Sequence, residues 1–197
     1  MLQDKVFSRF PVPDLTNLPA DIADRLTGVQ EKVGFVPNIF LILARRPDEF
    51  RAFIAYHDAL MEKDEGFTKA EREMIVVATS SANKCLYCVV AHGAILRIRA
   101  KDPLIADQIA TNHRRAPLDR RHRAMLDFAL AVATRSDALG DQDFETVRKA
   151  GFGEEDIWDI GAIAAFFAMG NRMANMAAAQ PNPEFFNMGR DPASRRS

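Results

Sequence analysis

The spacing of apolar residues is what most restricts this chain. Between positions 47 and 63, Phe50, Phe53, Ile54, His57, Leu60 and Met61 recur at intervals of three and four. That period lines up one face of an α-helix. Met125, Leu126, Phe128, Ala129 and Val132 repeat it within residues 118–134 and are expected to point inward. No segment shows convincing alternation of apolar and polar residues, the mark of a half-buried strand. The expected class is therefore all-α, a helical bundle packed around one core. A length of 197 residues suits a single domain over 1–197.

Punctuation sets the helix boundaries. Residues 21–32 and 38–45 read as helices separated by Gly34 and Pro37. Pro47 suits the first position of the helix over 47–63. Thr68-Lys69-Ala70-Glu71 is a capping-box pattern and starts a helix near Lys69. Asn83-Lys84 breaks that helix, and another covers 85–100. Asp102-Pro103 opens one reaching about His113. Residues 141–150, ended by Gly151, and 154–179, with Gly170 as a weak point, complete the set. Pro11, Pro13 and Pro19 make 1–19 an extended segment, and Pro181, Pro183 and Pro192 make 180–197 a tail. Phe185, Phe186 and Met188 would form a costly exposed patch, so they are expected to dock on the body or on a neighbouring subunit.

A net charge of −1 supplies no overall field favouring nucleic acid or a membrane. The basic run over 113–123 spans a helix junction and reads as solvated surface. The most apolar stretches, near 35–44 and 157–170, are too short to span a bilayer, and no signal-peptide run opens the chain. A soluble cytoplasmic protein is expected. In a reducing compartment, a close cysteine pair points to redox or metal chemistry more than to a structural staple.

The only two cysteines are neighbours, in Cys85-Leu86-Tyr87-Cys88, and His92 follows four residues after the second. On one helix these three side chains fall within an arc of roughly 60°, so the thiols can bond each other and His92 can reach a sulfur. A helix start also favours thiolate, through its unpaired N–H groups and dipole. Glu73 lies twelve residues before Cys85, beside the apolar run Met74-Ile75-Val76-Val77-Ala78. If the two helices form a hairpin, Glu73 returns beside Cys88 and His92 and orients the imidazole. A redox pair is the first reading. Zinc would have to take Glu73 as fourth ligand, an unusual structural set, and inert buried thiols are the bland alternative.

Tyr87 and His57 are candidates for a substrate pocket, each weighed against simple packing. Asn171 and Asn175 read as a helix–helix hydrogen-bonding pair, Met169, Met173 and Met176 as a packed helix face, and Trp158 as core.

The pattern Glu73-x11-Cys85-x2-Cys88-x3-His92 resembles the active site of the alkylhydroperoxidase D family, in the carboxymuconolactone decarboxylase superfamily. Gly34-Phe35-Val36-Pro37-Asn38, Tyr56-His57, the stretch from Cys85 to Gly93 and Phe166-Phe167-Ala168-Met169-Gly170-Asn171-Arg172 are similar to its peroxidase-related branch. The resemblance implies a cofactor-independent thiol peroxidase. Cys88 would attack an organic hydroperoxide or hydrogen peroxide, Cys85 would resolve the product to a disulfide, and Glu73 and His92 would relay protons. A dithiol, on a lipoyl-bearing or thioredoxin-like protein, would restore the thiols. It also implies a homo-oligomer and no metal. Leu86-Tyr87 replaces the polar residues found between the cysteines of the family's name-giving member, which leaves substrate and electron donor open. The alternative is a thiol–disulfide relay or redox sensor acting on a protein partner, with little peroxide turnover. A lyase is disfavoured, because that chemistry does not require paired cysteines.

Overall fold

The structure, a computed structural model, describes residues 7–190. The expectations for residues 1–6 and for the tail beyond 190, including Pro192, lie outside them. Among the described residues there are nine α-helices and no strand. They are α1 (Ala20–Val33), α2 (Asn38–Leu43), α3 (Pro47–Met61), α4 (Lys69–Ala82), α5 (Leu86–Ala100), α6 (Ile105–Asn112), α7 (Arg120–Arg135), α8 (Asp141–Lys149) and α9 (Glu154–Met176).

The helix ends follow local chemistry. Gly34 closes α1 in the left-handed region, φ +90°, where a side chain would be strained. Pro47 starts α3, where its missing N–H costs nothing. At α4 the Thr68 hydroxyl accepts from the Glu71 N–H at 3.2 Å, and the Glu71 carboxylate accepts from the Thr68 N–H at 2.8 Å. The capping box is thus formed as read.

The main core joins α4, α5, α6, α7 and α9 through Ile75, Val76, Leu96, Ile109, Met125, Leu126, Ile160 and Ile163. Each large aliphatic group contributes about 1.5–3 kcal/mol by leaving water. A second cluster surrounds the cysteines, with Ile42, Tyr87, Ala91, Ala94, Ala174, Ala177 and Phe185. A third joins α1, α2 and α3.

Several expectations need correction in and after α9. Trp158 is not core; it is 73% exposed. Ile157, Ile160, Ile163 and Ala164 take the inward stripe, and a residue adjacent to Ile157 falls about 100° away around the helix. Met169 and Met176 are also exposed, and of that set Met173 lines the cavity at Cys88. Gly170 does not break α9. A Cβ there would stand 3.6 Å from the Phe53 ring, an ordinary contact distance, and α9 runs through Gly170 without a break where it packs on α3. The helix ends at Met176, short of 179, and Ala178 turns to φ +51°.

The chain then folds back over the cysteines. Phe185 is buried and Met188 half-buried, but Phe186 stays exposed, so the tail docks only in part. Buried Arg97 holds the tail, donating to the carbonyls of Phe185 and Met188 at 2.9 Å each. Gly189, at φ +71°, crosses α5 so closely that a Cβ would stand 2.8 Å from the Cβ of Arg97. The segment before α1 lies alongside: the Arg9 N–H donates to the Ala177 carbonyl at 2.7 Å, and the Gln180 N–H to the Phe7 carbonyl at 2.9 Å.

Candidate active site

Helices α4 and α5 form the expected hairpin, and it brings Glu73 back to His92. The Nδ1 atom of His92 lies 2.8 Å from a Glu73 carboxylate oxygen. An ionised carboxylate only accepts, so Nδ1 carries the hydrogen and Nε2 is left as the basic nitrogen. Both side chains are nearly buried. The His92 ring also meets Phe167 edge-on, with centroids 4.8 Å apart. The imidazole is thereby fixed from two sides.

The cysteines are arranged differently from a simple helical face. Lys84 takes φ +53°, Cys85 is extended, and α5 begins only at Leu86. Cys85 is the N-cap of α5, and its sulfur accepts from the Cys88 N–H at 3.5 Å. Cys88 lies within the first turn. The helix-start effect expected from sequence therefore acts on Cys85 by direct contact.

The two thiols are free and buried. The hydrogen bond from the Cys88 thiol lowers the Cys85 pKa to about 7, against burial; the Cys88 amide, the Asn171 side chain and the charge of His92 act the same way. That hydrogen bond and burial push Cys88 up. One proton thus leaves the pair near neutrality and the second is held. The charge belongs to the pair, because a proton shift between the sulfurs moves it from one to the other.

Access separates the two. Cys85 is 0% exposed, sealed by Phe185, Ala177 and the segment near Phe7. Cys88 opens on a cavity of about 160 Å³. Its walls are Ile39, Phe40 and Leu43 of α2, Phe53, Ile54 and His57 of α3, Tyr87, Ala91, His92 and Ile95 of α5, Phe167 and Met173 of α9, and Phe185. Tyr87 and His57 therefore both line it. The Tyr87 hydroxyl accepts from the Ile39 N–H at 3.4 Å, and burial raises its pKa, so it stays a neutral phenol.

Two further groups belong to the site. Asn171 and Ser80 are both fully buried. The Asn171 side chain favours the charged form of both thiols, and Ser80 that of Cys88. Asn171 also donates to the Ser80 hydroxyl at 3.0 Å and accepts from Asn83 at 3.1 Å. The helix–helix role read from sequence is present, but the contact with the thiols was not foreseen. A buried amide in the apolar run of α9 was the available signal. Among the described residues, no group of three or more His, Cys, Asp or Glu side chains is arranged to hold a metal ion. No helix among them is long and apolar enough to cross a membrane.

Residues 47–112, which carry Glu73, Cys85, Cys88 and His92, match the carboxymuconolactone decarboxylase family. A crystal structure described as an alkylhydroperoxidase AhpD core, an uncharacterized peroxidase-related protein from Ralstonia eutropha JMP134, is 63% identical over 95% of this chain and 99% of its own, with a TM-score of 0.93. This chain belongs to the AhpD-like family. A second uncharacterized peroxidase-related protein, from Silicibacter sp. TM1040, is 40% identical over 96% of this chain and 100% of its own, with a TM-score of 0.89. The AhpD-like fold also occurs in the debrominase Bmp8, 19% identical over 98% of this chain and 99% of its own, with a TM-score of 0.77. At that distance only the fold is shared. No curated protein matches the chain significantly.

Proposed function

We propose that this AhpD-like protein is a thiol peroxidase acting on organic hydroperoxides. The observation that carries the reading is the placement of Cys88 and the Glu73-held His92 on one apolar cavity, with Cys85 sealed behind. His92 Nε2 takes the proton that leaves the thiol pair. The Cys88 thiolate attacks the nearer peroxide oxygen; an S–O bond forms, the O–O bond breaks, and an alcohol departs after protonation. Cys85 then displaces water from the sulfenic acid and closes the disulfide. An external dithiol returns both thiols and leaves oxidised. The mostly aliphatic and aromatic cavity wall suits a hydroperoxide with a hydrocarbon body better than hydrogen peroxide alone.

The alternative relay between proteins has less support. Cys85 is fully buried and Cys88 only 7% exposed, which leaves a folded partner no direct approach. Assembly into a homo-oligomer is part of the proposal and is tested by light scattering; a particle of 22.0 kDa would refute it.

The test is single-turnover oxidation by cumene hydroperoxide, followed by thiol titration and mass spectrometry. Loss of both thiols as a Cys85–Cys88 disulfide is expected. Wild-type thiols inert to peroxide, yet exchanging rapidly with a thioredoxin-like protein, would favour the relay.

A further inference from the structure

The cavity holds a second carboxylate–imidazole pair that the reaction above leaves unused. His57 lines the wall on α3, and its Nδ1 lies 3.0 Å from an Asp58 carboxylate oxygen. Asp58 is anchored in turn by Arg25 of α1 at 2.9 Å. His57 and His92 flank the same Phe167 ring, at 6.1 Å and 4.8 Å between centroids. Each has Nδ1 tied to a carboxylate, and among the described residues neither Nε2 has a hydrogen-bond partner.

The pairs differ in depth. The Glu73–His92 pair has side chains 9% and 15% exposed, against 34% and 24% for Asp58 and His57. The inner pair sits one helical turn from Cys88. The outer pair is open enough to exchange protons with water. Of the titratable groups lining the cavity, Cys88 and His92 serve the nucleophile, and Tyr87 is a neutral phenol. An alkoxide leaving an O–O bond is strongly basic and needs a proton as it departs.

We propose that protonated His57 is the acid that delivers this proton, a role that rests on the peroxidase reading. As the Cys88 sulfur bonds the nearer oxygen and the O–O bond breaks, the electron pair goes to the farther oxygen. That oxygen takes the Nε2 hydrogen of His57 and leaves as alcohol. His57 regains a proton from water, and Asp58 holds the imidazolium with Arg25 behind it.

Leaving-group chemistry tests this. Cumene hydroperoxide expels an alkoxide, whereas peroxybenzoic acid expels a carboxylate that needs no proton. In single turnovers, His57→Gln is expected to slow oxidation by cumene hydroperoxide about 10²-fold. Its rate with peroxybenzoic acid and its alkylation by iodoacetamide should be unchanged. Equal slowing with both oxidants, or no slowing with either, overturns the assignment of His57 and leaves the peroxidase reading standing. Wild-type thiols that react with neither oxidant overturn that reading itself. Should His57→Gln fail to fold, wild-type protein decides. The ratio of the cumene hydroperoxide rate to the peracid rate, corrected for ionisation of the peracid, must fall with rising pH when a protonated side chain supplies the leaving oxygen's proton. A ratio independent of pH refutes the role.

Discussion

Glu73 and His92 are nineteen residues apart in the chain and 2.8 Å apart in space, joined across the α4–α5 hairpin. The contact fixes which imidazole nitrogen faces the cavity. Glu73→Gln keeps the shape but removes the charge and can turn an N–H toward Nδ1, favouring the wrong tautomer. Oxidation by cumene hydroperoxide should slow by roughly 10²-fold. Far-ultraviolet circular dichroism should be unchanged. A full rate in Glu73→Gln would remove the relay.

The cysteines should separate cleanly on substitution. Cys88→Ser removes the one thiol that lines the cavity among the described residues and should abolish peroxide consumption. Cys85→Ser should still react once, leaving Cys88 as sulfenic acid, seen by mass spectrometry as a single-oxygen adduct and trapped by dimedone. If Cys88→Ser remains active while Cys85→Ser is inert, the two roles are reversed.

Ionisation of the pair sets the pH profile. The first proton leaves near the Cys85 value of about 7, and thiolate is the form gained as pH rises. Iodoacetamide alkylation should therefore climb through neutrality and flatten above it. The second thiol is pushed up by its hydrogen bond to Cys85 and by burial. Thiolate absorbance should accordingly report one thiolate per chain, not two, across the mildly alkaline range.

Asn171 links fold and reactivity. Its amide hydrogen-bonds Ser80 and Asn83 from a fully buried position and favours thiolate at both cysteines. Asn171→Ala should cost about 1–3 kcal/mol in denaturant unfolding, the range for leaving buried partners unsatisfied. It should also move the alkylation profile to higher pH, because a donor to the thiolate is lost. An unshifted profile would make Asn171 purely structural.

Much of this was legible in the chain because the signals are local. The capping box at Thr68 and Glu71, the break at Lys84 and the inward stripe of α7 depend on a few adjacent residues, and they formed as read. The return of Glu73 to His92 followed from one hairpin. What failed depended on distant packing. Trp158 looked like core by type, but Ile157 and Ile160 had already claimed the inward face. Gly170 looked like a weak point by residue type, but the packing of α9 against Phe53 of α3 and the rest of the core carries the helix through it. His57 read from its apolar helix face as a core histidine sooner than a pocket residue, and its Arg25-backed carboxylate is visible only once α1 and α3 are side by side.

Cys85 holds the first turn of α5 through its sulfur, and in the proposed cycle that same atom passes from anion to covalent link and back. A thiolate is a good acceptor for the Cys88 N–H; a disulfide sulfur carries no charge and accepts weakly. Each turnover would therefore weaken and then rebuild the cap of the helix that carries both Cys88 and His92. The oxidation state of one atom and the firmness of that helix start would rise and fall together, a local mechanical rhythm imposed by the chemistry itself.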